Sequence, residues 1–106
     1  MLSGYRIMWI LVLFDLPVTT KTERGKATRF RNALLDLGFE MVQFSVYMKH
    51  CAGKEQAATI QNKITAVVPE HGNIKLLFIT DKQFGNIVHL GKHSTRQINH
   101  SQLALF

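Results

Sequence analysis

The chain has 106 residues, 46% of them hydrophobic and 19% charged, enough to bury one core without staples and too apolar for a disordered segment. Thirteen Lys and Arg against seven Asp and Glu leave a formal charge of +6, so polyanions are the favoured partners, nucleic acid before an acidic membrane surface. One cysteine, Cys51, excludes an internal disulfide and a Cys-x-x-Cys metal site and fits a reducing cytoplasm.

The first apolar run, Ile7 to Phe14, is far short of the roughly 20 residues that span a bilayer. No small-residue cleavage site follows a basic start, so neither membrane insertion nor export is expected. Its β-branched and aromatic content makes it strand one, stopped by Pro17. From Thr22 to Leu37, the residues Ala27, Phe30, Leu34 and Leu37 fall at steps of three, four and three. That is the stripe of an amphipathic helix, and Gly38 suits the position just past its end. The thirteen residues from Gly38 to His50 read as extended, either one bent strand or a tight pair turning near Gln43 to Ser45. The pair is the favoured reading.

Gly53 and Lys54 open a second helix, in which Ala57, Ile60, Ile64 and Val67 repeat the spacing until Pro69 and the turn Glu70 to Asn73. Ile74 to Thr80, "IKLLFIT", is another strand. Strand, helix, strand, strand, helix, strand predicts an α+β fold, a ferredoxin-like βαββαβ sandwich with its core in residues 1–81. Residues 82–106 extend the same domain. A further strand is expected at Asn86 to Gly91, and an additional C-terminal strand at "SQLALF", where Leu103, Leu105 and Phe106 alternate with small or polar neighbours.

In such a sandwich the helices cover one sheet face, and a central strand ordinarily alternates apolar with polar. Strand one does not: Met8, Ile10, Val12 and Phe14 face one way, and Ile7, Trp9, Leu11 and Leu13 the other. Each such side chain contributes roughly 1.5–3 kcal/mol on burial. A homodimer formed sheet to sheet, with Trp9, Leu11 and Leu13 in its interface, is therefore expected.

Asp15 ends strand one, on the edge where the Gln43 to Ser45 turn, the start of helix one and His71 also gather. A hard cation such as Mg²⁺ takes oxygen ligands, usually one or two carboxylates with waters and phosphate. The second carboxylate is expected from the other protomer's copy of Asp15 across the twofold axis. On the residues alone, a carboxylate that caps the following turn accounts for Asp15 more economically. His71 is a candidate phosphate contact or proton carrier.

The stretches "WILVLFDLP" (Trp9 to Pro17), "GFEMVQFSVYMKHC" (Gly38 to Cys51), "GNIKLLFITDKQFGNI" (Gly72 to Ile87) and the ending "QLALF" together resemble the CRISPR-associated Cas-two (Cas2) family, in the form found beside the Cas-nine effector in type II systems. The resemblance runs along essentially the whole chain. It implies a homodimer that bridges two dimers of the Cas-one integrase, which hold double-stranded DNA, the prespacer, and insert it into the CRISPR array in spacer acquisition. Many relatives are described as Mg²⁺-dependent endonucleases on single-stranded RNA or double-stranded DNA, with the aspartate ending strand one as metal ligand and catalytic residue, here Asp15. In the integration role the chemistry belongs to the integrase and the aspartate is regarded as dispensable. Two classes thus stay open, a DNA-binding adaptor and a metal-dependent nuclease.

Ser45 and Tyr47 occupy the family's serine and aromatic positions and, with His71, are expected around the metal position. Some relatives carry a basic residue before the Gln-x-Ser-Val-Tyr block, where this chain has Met41 and Val42. Lys21, Arg24, Lys26, Arg29 and Arg31 concentrate charge at the start of helix one, with Arg24 and Arg31 on one flank. They are the expected contacts to a phosphate backbone, supported by the positive end of the helix. The terminal strand is expected to pair with a sheet edge of the partner protomer or of the integrase.

Overall fold

In the computed structural model, which describes residues 8–91, the elements run β1 (Met8–Asp15), α1 (Lys21–Asp36), β2 (Glu40–Gln43), β3 (Val46–Cys51), α2 (Lys54–Thr65), β4 (Asn73–Thr80) and α3 (Asp81–Gly85). The strands form one antiparallel sheet in the order β2-β3-β1-β4, the ferredoxin-like arrangement of two interleaved βαβ units. Alternation along β1 divides the sheet. Ile10, Val12 and Phe14 join Tyr47 and Cys51 of β3 beneath Phe30 and Leu34 of α1 and Ile60 and Ile64 of α2. Trp9, Leu11, Leu13 and Asp15 point to the face that α1 and α2 leave open.

Helix α1 begins as its sequence demands. Thr20 Oγ1 accepts from the Glu23 backbone N–H at 3.1 Å, and the Glu23 carboxylate accepts from the backbone N–H groups of Thr20 and Thr19 at 3.0 and 2.9 Å. This reciprocal box satisfies amides that the first turn leaves without intrahelical partners. At the other end Gly38 adopts φ +97°, and a Cβ there would lie 2.8 Å from the Lys49 amine. Replacing Gly38 by alanine is expected to cost about 1–2 kcal/mol through the left-handed backbone, measurable by urea unfolding. The flexible Lys49 tip can swing aside.

The favoured pair of strands is present. Phe44 and Ser45 make the turn, Ser45 at φ +64°, and the register slips between Met41 and Gln43. Helix α2 stops at Thr65 with Ala66 as C-cap, so Val67 does not extend its stripe and is 41% exposed.

The expected strand at Asn86 to Gly91 is absent. A second capping box, Thr80 with Gln83, starts α3 directly after β4, and residues 86–91 carry neither helix nor strand. Of their apolar side chains, Ile87 is 39%, Val88 76% and Leu90 91% exposed. Ile7 and the terminal "SQLALF" lie outside the described residues. Helix α3 folds onto the open face: Phe84 stacks on Trp9 with centroids 3.9 Å apart, and the indole N–H donates to Asp81 Oδ1 at 2.9 Å. His50 meets the same ring edge-on at 5.0 Å. The chain itself thus covers Trp9, and the apolar row still open begins at Leu11.

Candidate functional site

Asp15 is exposed at the last position of β1, opposite Asn73 of β4. Its backbone is held on two sides. The Phe14 N–H donates to the Ser45 carbonyl at 3.1 Å, and Gly72, at φ +113°, packs against the Asp15 carbonyl and Leu16. Asp81, at the far end of the ladder where Met8 pairs with Thr80, belongs to the other edge. Among the described residues no cation lies within ion-pair distance of Asp15, and no group of three or more His, Cys, Asp or Glu is placed to hold a metal ion. Among the described residues, this end of β1 therefore offers one unopposed carboxylate, that of Asp15. That fits a single protein ligand of Mg²⁺, which keeps several waters, and does not make an all-protein cage.

The other expected residues divide. Ser45 stands on this edge and secures the turn. Tyr47 does not belong here: it pairs with Val12 across the ladder, points to the helix side, is 3% exposed, and lies over Phe14 with centroids 5.6 Å apart. Burial pushes its hydroxyl pKa up, against the pull of Arg31. The alternation that puts Asp15 on the open face puts Tyr47 in the core. His71 is at the right end of the sheet but on the helix side, in a small hollow with Leu16, Pro17, Glu23 and Lys26.

The cations of α1 separate as well. Arg24 Nη1 donates to the carbonyls of Val18 and Thr19 at 3.2 and 3.1 Å, bracing the loop after Asp15. Arg31, seven residues on, donates to Thr28 Oγ1 at 3.2 Å and lies near enough to Tyr47 to influence it, so the pair shares a flank as its spacing predicts. Lys26 reaches Glu70 at 3.9 Å, an exposed pair worth little. It lines, with Arg29, the opposite flank, a groove of about 430 Å³ whose floor includes Phe30, Ala33, Val67 and Pro69. Lys21 and Arg29 are exposed and have no ion pair or side-chain hydrogen bond among the described residues.

Three features escaped the sequence reading. The boxes Thr20-x-x-Glu23 and Thr80-x-x-Gln83 were visible as motifs, and the second would have announced α3. Gly72, between His71 and the strand, carried no signal beyond a turn. Glu23 adds a pH dependence. Hydrogen bonding, the Thr20 N–H foremost, lowers its pKa from 4.5. A depressed carboxyl contributes stability above the unfolded value, lost as pH falls through the folded one. Glu23→Gln is accordingly expected to flatten the pH dependence of stability below about pH 4.5, read by urea unfolding at stepped acidity.

The family described as "CRISPR associated protein Cas2" matches residues 8–87. A protein of Paracidovorax avenae named "CRISPR-associated endoribonuclease Cas2" is 51% identical over 84 residues, covering 79% of this chain and 78% of that one. One of the same name from Parvibaculum lavamentivorans is 47% identical over 102 residues, 93% of this chain and 100% of the relative. Among solved structures, one titled "Crystal structure of cas2" superposes with a TM-score of 0.61 over 89% of this chain and 97% of its own at 17% identity. The Cas2 of Streptococcus pyogenes at pH 6.5 gives 0.58 over 78% and 99% at 20% identity. Those two speak for the fold; the sequence matches, spanning β1 through α3, speak for descent, and by them the chain belongs to the CRISPR-associated Cas2 family.

Proposed function

We propose that the chain works as a homodimeric, duplex-DNA-binding adaptor in CRISPR spacer acquisition, bridging dimers of the Cas-one integrase in the cytoplasm. The observation that carries this reading is the uncovered apolar row on the open sheet face. Leu11 lies between Met48 and Leu77, and Leu13 between Val46 and Lys75; Leu13 is 37% and Leu77 50% exposed. A second copy about a twofold axis buries the row against itself. The two α1 helices then present Lys21, Arg24 and Arg29 along one assembly, a spacing of cations suited to phosphates of a duplex. Duplex binding by the wild type and by a dimer-breaking Leu77→Glu chain, measured across salt concentrations, tests this. Wild-type affinity is expected to fall steeply with salt and the variant to bind far more weakly. Equal binding by both would contradict the reading.

A second reading, a Mg²⁺-dependent endonuclease, is favoured by the exposed carboxylate of Asp15, which has no competing cation among the described residues, and by the word endoribonuclease in the relatives' names. Asp15 would hold the ion, joined in the dimer by its symmetry copy. The ion, when bound, supplies charge neutralisation and polarisation at the phosphodiester. The chain's own part is positional: the Ser45 turn and the β4 entry fix the end of β1, and Arg24 steadies the loop that follows.

A further inference from the structure

We infer that Gly72 is a positioning residue for Asp15: the missing side chain at position 72 sets where the last residue of β1, and with it the carboxylate, stands. The inference rests on the reading of Asp15 as a metal ligand. Gly72 has φ +113°, a conformation L-residues rarely adopt. A Cβ there would lie 2.6 Å from Leu16 Cδ2, 2.8 Å from the Asp15 carbonyl oxygen and 3.3 Å from Leu16 Cα. The leucine tip can turn away. The other two atoms are backbone, and they yield only if Asp15 and Leu16 move. On the opposite side the Phe14 N–H is already tied to the Ser45 carbonyl, which opposes a shift of the strand end relative to β3. The strand end is gripped between two turns, and glycine is what lets the second close.

Gly38 supplies an internal control. It has the same kind of backbone, φ +97°, but its Cβ would meet the flexible Lys49 amine, and Lys49 pairs with Ile10, five positions up the strand from Asp15. Alanine at either glycine carries a similar backbone strain; only the one at 72 pushes on Asp15.

The test compares wild type, Gly72→Ala, Gly38→Ala and Asp15→Asn as full-length protein. Mn²⁺ broadening of the Asp15 amide signal, the metal-free shifts of the Asp15 and Leu16 amides, and kcat and KM for Mg²⁺-dependent cleavage of RNA and duplex DNA are measured. Gly72→Ala is expected to shift both amides without metal, to weaken the broadening, and to lose about tenfold to a hundredfold in kcat with KM little changed, as a sub-ångström to ångström misplacement does. Gly38→Ala is expected to match wild type in all of these at comparable loss of stability. If Gly72→Ala does not fold, Gly72→Ala with Leu16→Ala removes the nearest clash and keeps the one with the Asp15 carbonyl, and the same differences are expected of it. Gly72 variants indistinguishable from Gly38→Ala would overturn the inference. A wild type that neither broadens nor cleaves would instead defeat the metal reading, while the metal-free amide shifts still show whether position 72 sets the place of Asp15.

Discussion

Asp15→Asn is expected to lower metal-dependent cleavage by the purified protein by about a hundredfold or more, and to leave folding, dimerisation and duplex binding unchanged. Groups that merely orient metal ligands already cost about 10–100-fold when removed, and the ligand itself sets a higher floor. The fold tolerates the change because the side chain is exposed and makes no hydrogen bond or ion pair among the described residues. Substitutions at such positions usually stay within about 0.5 kcal/mol. Cleavage of RNA and of duplex DNA, with Mg²⁺ and with EDTA, checks the first half. An assay of spacer acquisition checks the second, and the adaptor reading expects it to proceed. Loss of both cleavage and acquisition in a variant that folds and dimerises would mean that chemistry at Asp15 is part of the biological role.

Leu77→Glu is expected to break the dimer without unfolding the chain. Leu77 is 50% exposed in the single chain and sits beside Leu11 in the middle of the open face, so its monomer stability depends little on it. In a twofold dimer the same residue is buried twice. Half of each Leu77 is already covered in the single chain, so losing the two remaining half-burials removes about 1.5–3 kcal/mol, and two carboxylates brought together without partners add a further penalty. At 1.4 kcal/mol per tenfold, the dissociation constant rises by at least about tenfold. Sedimentation velocity at several concentrations reads the change, and circular dichroism shows that the protomer survives. A variant as dimeric as wild type would place the interface elsewhere.

Much of this was legible because apolar periodicity is a strong signal where burial is complete. The two-faced strand Met8–Asp15 and the stripe Ala27, Phe30, Leu34 fix the sheet, the covering helix and the edge on which Asp15 stands. The failures share a cause, since composition reports preference and not which neighbour wins. Ile87, Val88 and Leu90 look like a strand, but a strand needs an edge to pair with, and the capping box at Thr80 turns the chain into α3 first. Val67 continues the spacing of α2 beyond the point where Ala66 ends the helix. Tyr47 follows the Ser45 turn in sequence yet faces the core, because strand parity outranks proximity. Among the cations, spacing placed Arg24 and Arg31 on one flank but could not tell that Arg24 would be engaged by the Val18 and Thr19 carbonyls. Gly72 was invisible for the same reason: only the approach of a second backbone gives it a role.

The proposed adaptor needs its open sheet face closed by a second copy of the chain. Sedimentation equilibrium of the wild-type chain at micromolar concentration measures this directly. A mass of twice 12.1 kDa, falling to the monomer value in Leu77→Glu, is the predicted result. A folded wild-type chain of 12.1 kDa under the same conditions, with Leu11, Leu13 and Leu77 still in water, would contradict it.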